Sequence, residues 1–346
     1  MGPSKNLGTS QFFGKKILFI GPRYFGYEKE ILTTLLNWGA LVDFLPDRPF
    51  QSTLLKAITR VRRSLVLPYT DRVFLASIEL LSSSDYDFIF VVQGECVSKK
   101  VIERLRVVFP QAKLIWYLWD SLRNKPALAR NLPLFHECFT FDKSDAALYG
   151  IHFRPLFFMS EFSRGAGILA KYDISFVGTA HSDRYRVLSN VKKHLPKSVT
   201  VYSYLFLQAP WMFWFNRITN SAFKDATQSD FSFTPLTRSE ILKVFFRSST
   251  ILDIEHPNQT GLTMRTFEAL GANKKLITTN RCVAETDFYR ADNILIVDRK
   301  NPIIPLDFLY TPYSPLPKNI YSKYSIEHWL MDILDHKCTS DCSAIR

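Results

Sequence analysis

Within Asn258–Asn280, the residue types and their spacing favour the binding of an anion at a helix start. Gly261 lies in a polar turn, and without a side chain it lets a ligand approach the backbone closely. A helical spacing of apolar residues follows and ends at Gly271, which predicts free backbone N–H groups near Gly261. Arg265 in the first turn adds a fork of donors, and Glu268 one turn later is placed to meet a ribose. The alternative is an ordinary crossover helix with a surface Arg and Glu.

The same stretch resembles the donor-binding segment in the second domain of GT-B glycosyltransferases. The resemblance is to bacterial enzymes of cell-surface polysaccharide (lipopolysaccharide or capsule) synthesis, of the group 1-like and CgeB-like kinds. In many of them two glutamates flank seven residues, and the second holds the nucleotide ribose. Glu268 matches the second glutamate, whereas the first falls at Thr260, which is not acidic. The resemblance is closest over Ile251–Asn280 and weaker over Tyr172–Arg184, and it implies donor contacts from Thr260, Gly261, Leu262, Arg265 and Glu268.

Strands and helices alternate along the whole chain, which predicts parallel sheets with helices on both faces. A first strand at Lys15–Gly21 is followed by a glycine turn. The same pattern of strand and glycine turn recurs at Tyr172–Gly178, and a polar helix start follows it at Ser182. We therefore expect an α/β protein with two Rossmann-like domains facing across a cleft, as in GT-B enzymes. The predicted domains are residues 1–160 and 171–320, joined by a linker at Phe158–Ala170. Residues 321–346 form a last helix and tail that would cross back to the first domain.

In open α/β sheets ligands bind beyond the carboxyl ends of the strands, and this rule selects candidate catalytic carboxylates. Glu95 follows the predicted strand Asp87–Val92, and Asp120 follows Lys113–Leu118 with two tryptophans beside it. Either could take a proton from an acceptor hydroxyl, and the tryptophans place Asp120 slightly ahead. Helix N-capping is the alternative role for Asp120, as it is for Asp142.

Three further residues mark the second predicted domain as a binding domain. Gly178 ends its first strand, and a glycine turn into a helix start is a phosphate-binding geometry. Arg184 lies in that helix start, where it either contacts phosphate or is a solvated helix residue. His256 follows the strand Thr250–Ile254 and could meet a sugar or a diphosphate, or it is a plain hydrogen-bonding residue.

The net charge of +12 indicates an anionic partner. No nucleic-acid module is recognisable and the basic residues are dispersed, so a nucleotide-sugar and an anionic membrane surface are favoured. The segment Ala209–Lys224 joins aromatic to basic residues without an acid, which suits a membrane interface, although a core helix fits as well. Scattered cysteines and the lack of a long apolar window predict a cytoplasmic protein. If Ala209–Lys224 binds a membrane, the protein is peripheral on the inner face of the cytoplasmic membrane.

These features, with the resemblance, imply transfer of a sugar from a nucleotide-diphosphate donor to a glycan or lipid-linked acceptor. No cofactor and no metal are expected if the helix start and the arginines neutralise the diphosphate. Two alternatives stay open at this point. One is a nucleotide-sugar epimerase on the same fold, and the other is a basic nucleic-acid-binding protein.

Overall fold

A computed structural model describes residues 11–23, 26–50, 52, 55, 59, 62–165, 167–257 and 259–336. Within them the chain divides into two compact units. The first unit consists of two segments, one that ends at Pro155 and one that begins at Ile326. The second unit runs from Leu156 to Ser325. Asn258 and most of the basic segment Lys56–Arg63 lie outside the described residues.

The first unit is built on a parallel sheet of six strands in the order β2-β1-β3-β4-β5-β6. Its strands are β1 Lys16–Gly21, β2 Leu41–Pro46, β3 Phe88–Val92, β4 Lys113–Leu118, β5 Glu137–Thr140 and β6 His152–Phe153. Its α-helices are α1 Tyr27–Asn37, α2 Leu67–Leu80, α3 Lys99–Val108, α4 Lys143–Tyr149 and, from the end of the chain, α11 Ile326–Leu334. Short 3₁₀ helices cover Arg63–Leu65 and Pro126–Leu134.

Successive side chains of the central strands point to opposite faces of this sheet, and on both faces they are buried against helices. On one face Phe90 and Tyr117 pack against Trp329 of α11, with ring centroids 6.0 and 4.7 Å away. On the other face Ile89 and Val91 belong to a cluster with residues of α2 and α3. Each such buried apolar side chain contributes about 1.5–3 kcal/mol to the free energy of folding. The sheet is therefore stabilised from both faces, and its strand ends are held in place.

The second unit has a parallel five-stranded sheet in the order β11-β10-β9-β7-β8. Its strands are β7 Tyr172–Thr179, β8 Val201–Phe206, β9 Ser248–Asp253, β10 Lys275–Thr278 and β11 Ile294–Ile296. Its α-helices are α5 Arg184–His194, α6 Pro210–Thr219, α7 Arg238–Phe246, α8 Met264–Gly271, α9 Leu306–Tyr310 and α10 Lys318–Lys323. Further 3₁₀ helices cover Ser160–Arg164, Ser221–Phe223, Gln228–Asp230 and Arg281–Glu285.

The α/β class with two parallel sheets is confirmed, and the strand Lys113–Leu118 has the predicted bounds. One helix start differs from the prediction. The second unit's first helix begins at Arg184 rather than Ser182, because Ser182 has a left-handed backbone (φ 51°) that a helix cannot include. The polar turn is therefore longer, and Arg184 is the first residue of α5.

Candidate functional site

The carboxyl ends of β7 and β9 bring two predicted arginines together beside Gly178. Arg265 lies in the first turn of α8, and its guanidinium lies over the Phe176 ring at 5.5 Å. A Cβ at Gly178 would lie 3.2 Å from Arg265 Nη2 and 3.4 Å from Arg184 Nη1. The Arg265 separation is tighter than an ordinary contact, and the same Cβ would lie 3.0 Å from Phe176 Cζ, so a side chain at this position would crowd the end of the strand where the guanidinium groups lie.

Asp253, the last residue of β9, fixes the start of α8. Its buried carboxylate accepts from Arg265 Nη1 at 2.7 Å and from Thr263 Oγ1 at 2.8 Å. Thr263 occupies the N-cap position of α8, yet its hydroxyl donates to Asp253 and makes no side-chain capping bond to the helix. The first-turn N–H groups of α8 thus lack a side-chain cap from Thr263.

The structure overturns the view of Arg184 as a solvated helix residue. Its side chain is buried, and it donates to Ile254 O at 2.6 Å and to Thr179 O at 3.1 Å. Burial, and next the charge of Arg265, lowers the pKa of Arg184 to about 10, so it is still a cation at neutral pH. A buried cation held by carbonyl dipoles is well placed to attract an anion.

Two imidazoles complete this edge of the sheet. His181 and His256 lie with their ring centroids 5.6 Å apart. Burial, followed by the charges of Arg184 and His256, lowers the pKa of His181 to about 3. His181 is therefore neutral at physiological pH and can still donate one N–H to a ligand.

The remaining predicted donor residues lie on the loop before α8 and on α8 itself. Gly261 and Leu262 are buried, and Asn280 Nδ2 donates to the carbonyls of Thr260 and Gly261 at 3.4 and 3.3 Å. The turn is thus attached to the end of β10. Glu268 is buried on the second turn of α8, three residues after Arg265 and so on the same side of the helix.

In the first unit, a cavity of about 880 Å³ lies at the carboxyl edge of the sheet, lined in part by Arg23, Asp47, Gln93, Trp119 and Asp120. Asp120 keeps 37% of its side chain exposed, with Lys125 Nζ 3.6 Å from its Oδ2. The idea that two tryptophans wall this site is corrected. Only Trp119 is among the lining residues, because Trp116 is buried and donates to Gln93 O.

Glu95 lies near the cavity in a different electrostatic setting. Its buried carboxylate forms ion pairs with Arg48 and with Lys125, the latter at 2.7 Å. Burial alone would raise the pKa of Glu95, but the charge of Lys125 and then that of Arg48 outweigh it and lower the pKa. Asp142 takes the role named as its alternative, because its Oδ1 accepts from Ser144 N and caps α4.

No family model matches the chain, and no curated protein matches it in sequence. Solved structures match it over nearly its whole length. OtsA, in its apo form, aligns with a TM-score of 0.62 at 12% identity, over 92% of this chain and 99% of that one. HepE (Alr3699) from Anabaena, in complex with UDP and glucose, aligns with a TM-score of 0.56 at 11% identity, over 93% and 99%. The fold is GT-B.

Within this GT-B fold, sequence reasoning missed two residues at the ligand edges. Arg299, after β11, pairs with Asp183 at 2.7 Å and with Glu255 at 2.6 Å, which ties the loops after β7 and β9 together. Asp47, after β2, lines the cavity of the first unit, and burial raises its pKa to about 6 against the opposing charge of Arg48. Asp47 follows its strand directly, so the strand-end rule that selected Glu95 and Asp120 could have found it.

The aromatic segment of this GT-B protein forms helix α6, which packs into the core on one side only. Phe213 is fully buried against Phe231, with ring centroids 5.6 Å apart. Four apolar side chains of the helix are exposed: Trp211 (65%), Trp214 (53%), Phe215 (58%) and Ile218 (86%). The core-helix interpretation therefore holds for Phe213 and is wrong for the outer face. No helix of the described residues is long and apolar enough to span a bilayer.

Proposed function

We propose that this protein is a glycosyltransferase that moves a sugar from a nucleotide-diphosphate donor to a glycan or lipid-linked acceptor. The observation that carries the proposal is the pair Arg184 and Arg265 beside Gly178, at the carboxyl edge of the second unit's sheet. Among the matched structures, that of HepE is a complex with UDP and glucose. A trehalose-6-phosphate synthase, also matched (TM-score 0.57, 12% identity, 92% and 98% of the chains), was studied for glycosyl transfer with retention.

The donor diphosphate binds at the start of α8 in this account. Arg265 and Arg184 supply two positive charges, and the first-turn N–H groups of α8 supply uncharged donors. His181 adds a neutral N–H donor, and His256 lies beside it. These groups act on the charge that builds up on the departing nucleoside diphosphate, so no metal and no cofactor are needed for that step.

The ribose and the sugar lie to either side of the diphosphate. Glu268 accepts hydrogen bonds from the ribose hydroxyl pair, one helical turn beyond Arg265. Thr260, Gly261 and Leu262 border the sugar through the loop that Asn280 holds. Because Thr260 is not acidic, the sugar is bound here through hydroxyl and backbone groups rather than through a carboxylate.

The acceptor binds in the cavity of the first unit, and a carboxylate there takes the proton from its hydroxyl. Of the predicted bases, Asp120 lines the cavity and is partly exposed, whereas Glu95 is buried between two cations. We therefore assign the proton transfer to Asp120. The role of Glu95 is to hold Arg48 and Lys125 at the cavity.

A lipid-linked or glycan acceptor of surface polysaccharide synthesis is supported by the exposed face of α6. Trp211, Trp214, Phe215 and Ile218 form an apolar surface, and Arg217 lies 5.9 Å from the Trp214 ring. Together with the net charge of +12, this surface fits the cytoplasmic face of an anionic membrane. The protein would then meet its acceptor as a peripheral protein.

A panel of nucleotide-sugars tests the proposal. Binding to the native state raises the melting temperature, and the ligand that matches the site raises it most. We expect one nucleotide-sugar to stabilise the protein more than its nucleoside or its free sugar does, and to yield free nucleoside diphosphate on incubation with a glycan or lipid-linked acceptor. If no nucleotide-sugar shifts the melting temperature, the proposal is wrong. Recovery of an epimerised nucleotide-sugar would favour the epimerase alternative instead.

A further inference from the structure

A cluster of side chains with metal-ligating atoms lies at the amino-terminal end of the first unit's sheet, the end away from the cavity. Glu137 is the first residue of β5, His152 is the first residue of β6, and His336 follows α11. His152 Nε2 lies 2.8 Å from Glu137 Oε2, and His336 Nδ1 lies 3.6 Å from the same oxygen. One ligand atom from each residue lies within 4.8 Å of the other two.

His336 provides an independent indication of a ligand. Its Nδ1 is buried and has no hydrogen-bond partner among the described residues. A buried ring nitrogen without a partner is costly, and a metal ion would satisfy it. The two imidazole rings have centroids 4.2 Å apart, and Phe139 packs against both, at 5.1 and 5.3 Å. The rings are therefore held together before any ion binds.

Lys113 contacts two members of this cluster, and its position does not block the site. Its Nζ lies 3.6 Å from Glu137 Oε1, the carboxylate oxygen that does not contact the histidines. It also donates to His336 O at 3.1 Å. Lys113 therefore orients both Glu137 and His336 and leaves Glu137 Oε2 for a metal ion, as an outer-shell partner of a metal site does.

We propose that Glu137, His152 and His336 bind a divalent first-row metal ion, with Zn²⁺ as the ion that this ligand set fits best. Two imidazole nitrogens and one carboxylate oxygen are ligands that Zn²⁺ takes at about 2.0–2.2 Å, with a water in the fourth position. The ion replaces the His152–Glu137 hydrogen bond and links residue 336, just after α11, to the edge of the sheet. Its role is structural, and it takes no part in the proposed glycosyl transfer.

Calorimetric titration of the chelator-treated full chain with Zn²⁺ tests this site, with visible absorption of Co²⁺ as a second readout. We expect one equivalent to bind and to give the absorption of a tetrahedral Co²⁺ site. His152→Ala is the main variant, because His152 is 43% exposed and its loss leaves the core intact. The loss of a protein ligand should weaken binding by more than the roughly 10–100-fold caused by loss of an outer-shell partner. His336→Ala should do the same.

His194→Ala is the matched control, since His194 is an exposed histidine of the second unit and should leave the affinity unchanged. Cys338→Ser with Cys342→Ser removes the thiols that follow His336 in the sequence and should also leave it unchanged. Absence of a saturable first equivalent would overturn the proposal. Undiminished binding by His152→Ala, or loss of binding in the cysteine variant, would overturn it as well.

Discussion

Asp47, Glu95 and Asp120 lie at one edge of the first unit's sheet, and their surroundings give them different chemistry. Glu95 is held ionised between Arg48 and Lys125. Asp120 lines the cavity and is partly exposed, and Asp47 is buried with its pKa raised to about 6. A carboxylate already bound to two cations is a weak base. Asp47 also lines the cavity, but its side chain is buried, so Asp120, which borders the cavity and is partly exposed, is the proton acceptor that we propose.

Asp120→Asn should bind the donor normally and lose about 10²–10⁴-fold in the rate of nucleoside diphosphate release with acceptor present. The amide keeps the size of the side chain and removes its basicity. Asp142→Asn is the matched control, because Asn caps a helix as well as Asp does and Asp142 caps α4. Equal rates in the Asp120→Asn and Asp142→Asn variants would remove Asp120 from the reaction.

Asp47→Asn should change the pH dependence of stability. Between about pH 4 and pH 6 the unfolded chain loses the Asp47 proton while the native protein, in which burial raises the pKa to about 6, keeps it. The free energy of unfolding therefore falls as pH rises through this window, by at most about 3 kcal/mol at about 1.4 kcal/mol per pKa unit. The variant lacks this fall, so its gain in stability over wild type should appear at pH 7 and vanish near pH 3.

Denaturant unfolding at both pH values measures this difference, with the exposed Asp85→Asn as the control variant. An Asp47→Asn variant that is no more stable at pH 7 than at pH 3, relative to wild type, would contradict the raised pKa.

At the scale of elements, the periodicity of apolar residues predicts the strands and helices well because it reports burial directly. The turn-helix-strand unit around Arg265 and Glu268 follows from local signals, a glycine turn and a C-terminal glycine. The pairing of Arg299 with Asp183 and Glu255 does not, because its partners lie 116 and 44 residues away. The cluster of Glu137 with His336 is equally nonlocal, and no spacing rule in one segment indicates it.

Helix α6 shows why an aromatic segment is ambiguous in sequence. Its apolar residues occur on all sides, so periodicity alone does not separate a buried face from an exposed one. The structure buries Phe213 and exposes Trp211 and Trp214.

We therefore expect liposomes that contain anionic lipid to sediment the protein, and salt to release much of it by screening the basic residues.

Trp211→Ala with Trp214→Ala should lower liposome partitioning by roughly tenfold or more, because two large apolar side chains no longer enter the interface. Leu80→Ala with Leu148→Ala removes two exposed apolar side chains elsewhere and should have little effect. Equal loss in both double variants, or sedimentation that ignores lipid charge, would show that α6 does not bind the membrane.

At the scale of the whole molecule, the GT-B fold recurs at 11–12% identity because alternating strands and helices with buried sheet faces specify it, without particular residues. Function depends on what occupies the carboxyl edges of the two sheets. In the second unit that edge holds Arg184, Arg265 and two imidazoles. We therefore propose that this edge binds a nucleoside diphosphate through arginines and a helix start, without a metal.

The dissociation constants of a nucleoside diphosphate and its nucleoside, measured in excess chelator for wild type and Arg265→Ala, test this claim most directly. We expect wild type to bind the diphosphate far more tightly than the nucleoside. Arg265→Ala should lose about 10–100-fold for the diphosphate, in line with about 1.5–3 kcal/mol for a charged hydrogen bond, and should bind the nucleoside nearly as wild type does. Equal wild-type affinities for the two ligands, or diphosphate binding unaffected by Arg265→Ala, would contradict it.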